Sequence, residues 1–182
     1  GQDLPDTLCD LMSFFHDRLK VHLKDEGIRH DVIDACLANP LNDDLRLIAE
    51  RATALEGVLN TDEGANLVQG FKRANNILKQ AELKDGVEYS YGADLKYAET
   101  NEEKVLFAAL DQAAEAIKAS LALGDHVGAM AAMAELRHPV DAFFEAVQIN
   151  VDNEVLRRNR LNLLSRIRSV CGQVADLAQL EG

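Results

Sequence analysis

Lys72, Asn76 and Lys79 recur at i, i+4 and i+7, with Arg73 and Gln80 beside them. On a helix this spacing puts two ammonium groups and an amide on one face, opposite the apolar stripe Leu67, Phe71, Ala74 and Leu78. Cations on such a face suit phosphates and an amide suits a base edge, the pairing that RNA recognition needs; a merely solvated face would show the same spacing. A second group of cations, Arg157, Arg158, Arg160, Arg166 and Arg168, lies near the end of the chain. Arg160 falls inside the apolar stripe Leu156, Leu163, Ile167, Val170 and Val174, which points to a structural ion pair with a carboxylate such as Asp141. Arg157, Arg158 and Arg168 lie on the flank and outer face and are candidates for phosphate contacts. All three tyrosines, Tyr89, Tyr91 and Tyr97, share one short stretch, where they either pin a loop to the body or stack on unpaired bases.

Enzyme chemistry has little to stand on. His30-Asp31 is the dipeptide that supplies two ligands in metal-dependent phosphohydrolases, but His16, His22, His126 and His138 complete no recognisable ligand set. Gly-rich phosphate loops, H-E-x-x-H and G-x-S-x-G are all missing. His30 is expected to start a helix.

The elements that must position these residues read as helices throughout. A first helix from Pro5 to about Lys24 ends at Gly27, and a short one from His30 to Ala38 stops before Asn39-Pro40. A third begins after Asn42 and carries Leu45, Ile48, Ala52, Leu55 and Leu59. Asn60 with Glu63 resembles a capping box that opens a helix to about Glu82, and Thr100 with Glu103 repeats that signal for an Ala-rich helix ending at Gly124. Between them, 84–98 reads as a long surface loop. Asp125 caps the next helix, Pro139 opens a short one bearing Val140, Phe143, Phe144 and Val147, and Asp152 precedes the last.

Composition agrees. The 182 residues are 47% hydrophobic, rich in Ala and Leu, with three Pro and no Trp, which suits an all-α helical bundle of about seven to eight helices. Net charge is −12, which argues against binding nucleic acid through overall positive potential, yet 151–182 carries five basic against four acidic side chains. Cys9, Cys36 and Cys171 lie far apart and suit reduced thiols in a core. No apolar run reaches the roughly 20 residues of a bilayer span and no secretory leader is evident, so a cytoplasmic chain is expected. The chain starts with Gly rather than Met, as expected of a piece of a longer protein.

Four stretches carry a resemblance. Gly27-Ile28-Arg29-His30-Asp31-Val32-Ile33-Asp34-Ala35, Phe71-Lys72-Arg73-Ala74-Asn75-Asn76-Ile77-Leu78, Pro139-Val140-Asp141-Ala142-Phe143-Phe144 and Leu156-Arg157-Arg158-Asn159-Arg160-Leu161-Asn162-Leu163-Leu164 follow one another in the order of landmarks in bacterial glycyl-tRNA synthetase beta subunits. The chain resembles the C-terminal, DALR-type anticodon-binding part of that family, although His126 stands where a tyrosine or phenylalanine is expected and the tyrosine stretch is not a family landmark. The resemblance implies residues 1–40 as a helical junction to an absent upstream domain and 41–182 as the anticodon-binding domain. It also implies glycine tRNA as ligand, a non-catalytic fragment without cofactor, and ATP and magnesium in a separate alpha subunit with which the parent forms a heterotetrameric ligase. RNA-binding candidates are Lys72, Arg73, Asn76, Lys79, Arg157 and Arg158; no catalytic or metal residue is assigned. The competing expectation is a protein-interaction scaffold whose acidic surface faces another subunit.

Overall fold

A computed structural model describes residues 4–38 and 44–181, with side chains from Leu11 onward. Eight α-helices follow one another among the described residues: α1 (Leu4–Asp25), α2 (His30–Leu37), α3 (Leu45–Leu59), α4 (Asp62–Asp85), α5 (Asn101–Ala122), α6 (His126–Ala134), α7 (Arg137–Ala146) and α8 (Glu154–Gly172). Short 3-10 turns occur at Leu95–Tyr97 and Leu177–Gln179. The all-α bundle read from periodicity is therefore the fold. The expected stop at Asn39-Pro40, the start after Asn42, the boundary near 40, and the side chain of Cys9 lie outside the described residues.

Local chemistry explains the helix ends. Thr100 accepts from the Glu103 N–H while the Glu103 carboxylate reaches back to the Thr100 N–H, a complete capping box. Asp125 accepts from the Gly128 N–H as expected, and Gly124 turns the chain with φ at 71°.

Two boundaries differ from the sequence reading. The cap of α4 is Thr61, not Asn60, because α3 and α4 are separated by so little chain that Asn60 is used up closing α3, its N–H bonded to the Glu56 carbonyl. Thr61 Oγ1 accepts from the Gly64 N–H and donates to the Val58 carbonyl, joining the two helices. Pro139 lies within the first turn of α7, which begins at Arg137, and the missing proline N–H costs nothing there. Asp152 precedes α8 as expected, and Asn153 caps it, accepting from the N–H groups of Val155 and Leu156.

The core lies where α4, α5, α6, α7 and α8 meet, around Phe71, Leu78, Leu106, Leu110, Met130, Phe143, Leu163, Leu164 and Ile167. Cys36 and Cys171 are buried, and burial pushes both thiols up to about 12. His126 is buried with neither ring nitrogen hydrogen-bonded among the described residues and the Glu50 carboxylate 3.9 Å away, and burial lowers its affinity for a proton.

The chain's end closes back on its beginning. The Glu181 N–H donates to buried Asp31 at 2.7 Å, the Asp176 N–H to the Ala35 carbonyl at 3.1 Å, and Arg29 bridges Asp31 and the Glu181 carbonyl. Burial alone would raise the Asp31 carboxyl, but the bonds from Arg29 and Glu181 bring it below its usual value. Asp31 is thus a helix-start anchor. In α1 a second apolar stripe, Leu11, Phe14, Phe15 and Val21, stays exposed opposite the side that rests on α2 and α3. No described helix is long and apolar enough to cross a membrane.

Candidate nucleic-acid groove

A groove of about 1020 Å³ lies between the tyrosine loop, 86–99, and the first two turns of α8. Three side chains of α8 hold the loop. Arg157 takes its entry: the guanidinium donates to Asp85 at 2.7 Å, to the Tyr89 hydroxyl at 3.2 Å and to Asn150 at 3.2 Å. Hydrogen bonds from Tyr89 and Arg157 hold the Asp85 carboxyl below its usual range. Asn159 takes the middle, its amide donating to the Asp94 carbonyl at 3.2 Å and accepting from the Asp94 N–H at 2.8 Å. Arg160 takes the exit through Glu103, 2.8 Å away, whose other oxygen accepts from the N–H groups of Glu99 and Thr100.

The arginine in the apolar stripe is indeed ion-paired, but with Glu103 and not with Asp141. Asp141 lies beside Arg137, which is one turn behind it on α7. Burial opposes the ionised Glu103, and the bonds from Arg160 and the backbone overcome it, so its carboxyl titrates below the usual value. Arg157, expected to contact phosphate, is instead committed to the loop. Arg168 is likewise occupied, with both terminal nitrogens 3.3 Å from Glu82.

The remaining candidates are distributed over two places. Arg158 is exposed, has no carboxylate partner among the described residues and lines the groove with Lys84 from the end of α4. Asn76 and Lys79 are exposed and Lys72 half-buried along the solvent side of α4, none of them ion-paired among the described residues. Arg73 lies 4.5 Å above the Phe144 ring of α7, a cation–π contact that leaves its rim exposed. The two lysines are therefore on the helix that ends in the groove rather than in the groove itself; at 1.5 Å per residue Lys79 is about 8 Å and Lys72 about 18 Å upstream of Lys84.

The tyrosines differ in exposure. Tyr89 is buried and pins the loop. Tyr91 is 95% exposed and Tyr97 39% exposed, the latter with the Lys96 ammonium 4.7 Å from its ring centre. Asp85 and Asp94 are paired with Arg157 and Lys96, and the lining holds Lys84 and Arg158 together with Asp152 and Glu154. A groove with balanced charge and a freely presented aromatic ring is suited to flat, unpaired bases more than to concentrating phosphate.

Asn159 and Asn162 escaped the sequence reading. The available signal was their presence inside an apolar helix stripe, where asparagine is a poor helix former. If Arg157 is the clasp, Arg157→Ala should speed chymotryptic cleavage after Tyr89 or Tyr91 several-fold while global melting hardly moves; unchanged cleavage would mean that Asn159 and Arg160 suffice.

The sequence pattern of the DALR anticodon-binding domain matches residues 67–180, the span from α4 to the last turn that builds the whole groove. Over 95% of its length the chain is 66% identical to the glycine–tRNA ligase beta subunit of Cereibacter sphaeroides, and over 96% it is 63% identical to that of Paracoccus denitrificans. The corresponding subunit of Rhodospirillum centenum is 49% identical over 95% of the chain. The chain spans about a quarter of the length of these relatives. With the matched span covering most of the described helices and all of the groove, the chain belongs to the DALR anticodon-binding domain family.

Proposed function

We propose that this domain grips the anticodon arm of glycine tRNA on behalf of a glycine–tRNA ligase. The observation that carries the reading is the groove itself: Tyr91, almost wholly exposed, stands on a loop that three α8 side chains tie down, with the exposed Arg158 on the α8 wall. Exposed aromatic rings beside a cation are the usual platform for unpaired bases, and here the platform is preorganised. Lys72 and Lys79 on α4 would take phosphates of the arm and Asn76 its sugar or base edges, while the bases enter the groove. Support for the ligand comes from the relatives, named glycine–tRNA ligase beta subunits.

In this reading the domain performs no chemistry. The parent works in the cytoplasm as an ATP-dependent ligase, with ATP and magnesium bound at the alpha subunit, and anticodon binding holds the acceptor end in place for it. Binding energy far from the reacting carbonyl serves positioning, and a wrong anticodon loses it. A second role, contact with the rest of the parent, is favoured by the apolar stripe of α1, because Leu11, Phe14, Phe15 and Val21 are exposed together on one helix face. Residues 1–40 would then be the junction, although α2 is also tied to the chain's end through Asp31.

Titration of this chain with glycine tRNA at several salt concentrations tests the reading. Lys72→Ala with Lys79→Ala should weaken binding and reduce the magnitude of the salt slope by about 1.5 to 2. An unchanged slope would remove the α4 face from the interface, and equal affinity for glycine tRNA and an anticodon-substituted form would remove anticodon recognition.

A further inference from the structure

Asn162 lies on the same wall of the groove as Arg158, one turn further along α8. It is only 6% exposed, and its Oδ1 is buried without a hydrogen-bond partner among the described residues. Its neighbour Asn159, equally buried, spends its amide on both backbone groups of Asp94. Asn162 makes no such bond. Buried amides are nearly always satisfied, so an unsatisfied one lining a groove is a group waiting for a ligand.

We infer that Asn162 is the specificity-determining residue of this groove, reading the hydrogen-bonding edge of one unpaired base whose ring stacks on Tyr91. The inference rests on the anticodon reading above and adds to it which side chain discriminates. A carboxamide offers an acceptor and two donors, the complement of a base edge that presents a donor beside an acceptor. Placed on a helix rather than on the loop, it is held by the packing of Leu161, Leu163 and Leu164 on either side, all buried. The division of labour is then physical: the aromatic ring accepts any base, because every base has a π-face, and the amide rejects those whose edge leaves Oδ1 unpaired.

The test is a set of titrations of this chain and of Asn162→Ala, each checked for unchanged helicity and melting, with glycine tRNA and with versions substituted singly at each anticodon-loop position. Asn162→Ala should lower affinity for glycine tRNA about tenfold, the scale of one good base contact. It should leave affinity unchanged for the RNA altered at the position that Asn162 reads, so that discrimination collapses at one position only. The salt slope should not move, since no phosphate is involved. Tyr91→Phe should bind as the unsubstituted chain does and Tyr91→Ala should bind all the RNAs more weakly. Discrimination retained in Asn162→Ala, or an equal loss on every RNA, would overturn the inference while leaving the anticodon reading intact. Absence of discrimination in the unsubstituted chain would overturn both.

Discussion

Arg160→Ala should lower the unfolding free energy by about 3–5 kcal/mol, the cost of leaving one member of a buried ion pair without its partner. Glu103 is 1% exposed and Arg160 5% exposed, and between them they also satisfy the Gln148 carbonyl and the N–H groups of Glu99 and Thr100. Without the guanidinium, Glu103 would be a buried anion held only by two backbone bonds. The pH dependence carries a sign that separates this from simple loss of packing. In the intact protein Glu103 titrates below its unfolded value, so its contribution is complete above the usual carboxylate range of about 4 and is lost as pH falls through the folded value. In the variant only the two backbone bonds oppose burial, so the carboxyl titrates higher than in the intact protein and acidification costs the variant less stability. The deficit should therefore be greatest near neutral pH and shrink on acidification. Urea unfolding at neutral and acidic pH measures it, and a deficit independent of pH would show that packing, not charge, is the main term. Because the pair fixes the exit of the tyrosine loop, tRNA affinity should fall in the variant even where it remains folded.

Gly64→Ala should destabilise as well, by a smaller amount, and Gly57→Ala should do the opposite. A Cβ on Gly64 would stand 2.1 Å from the Val58 carbonyl oxygen and 2.7 Å from its carbon, backbone atoms that can yield only by prising α3 away from α4. The usual gain of about 1 kcal/mol for replacing a helical glycine is then overwhelmed by overpacking of about 1–3 kcal/mol or more. Gly57 lies in α3 with open space where its Cβ would go, so that helix gain should appear intact. Thermal melting of the two variants checks the contrast. Equal shifts of the same sign would mean that the α3–α4 junction gives way more easily than its geometry indicates.

The two substitutions also mark what could be read at each level. Periodicity alone defined the helices, because an apolar residue every three to four positions can be buried only if the backbone is helical, and Thr100 with Glu103 announced a cap from residues three apart. The Asn60 signal failed for a reason that spacing does not contain: in so short a junction one residue must end α3 while the next begins α4, and only their packing assigns the roles. The same limit governs the groove. That Arg160 needed a buried carboxylate followed from its place in an apolar stripe, but the choice of Glu103 over Asp141 depends on which helix lies against α8 across 57 residues of chain. Arg157 and Arg158 are adjacent and chemically identical in the sequence, yet a helix turns by about 100° per residue. One guanidinium faces Asp85 and is consumed in holding the loop, while the other faces the groove and remains free. The amino-acid sequence by itself determined the helices, their apolar faces and the family to which the chain belongs. Which cations, tyrosines and asparagines are structural and which stay available for RNA was decided only by tertiary packing, because a polar side chain's role depends on the partner that distant chain brings to it.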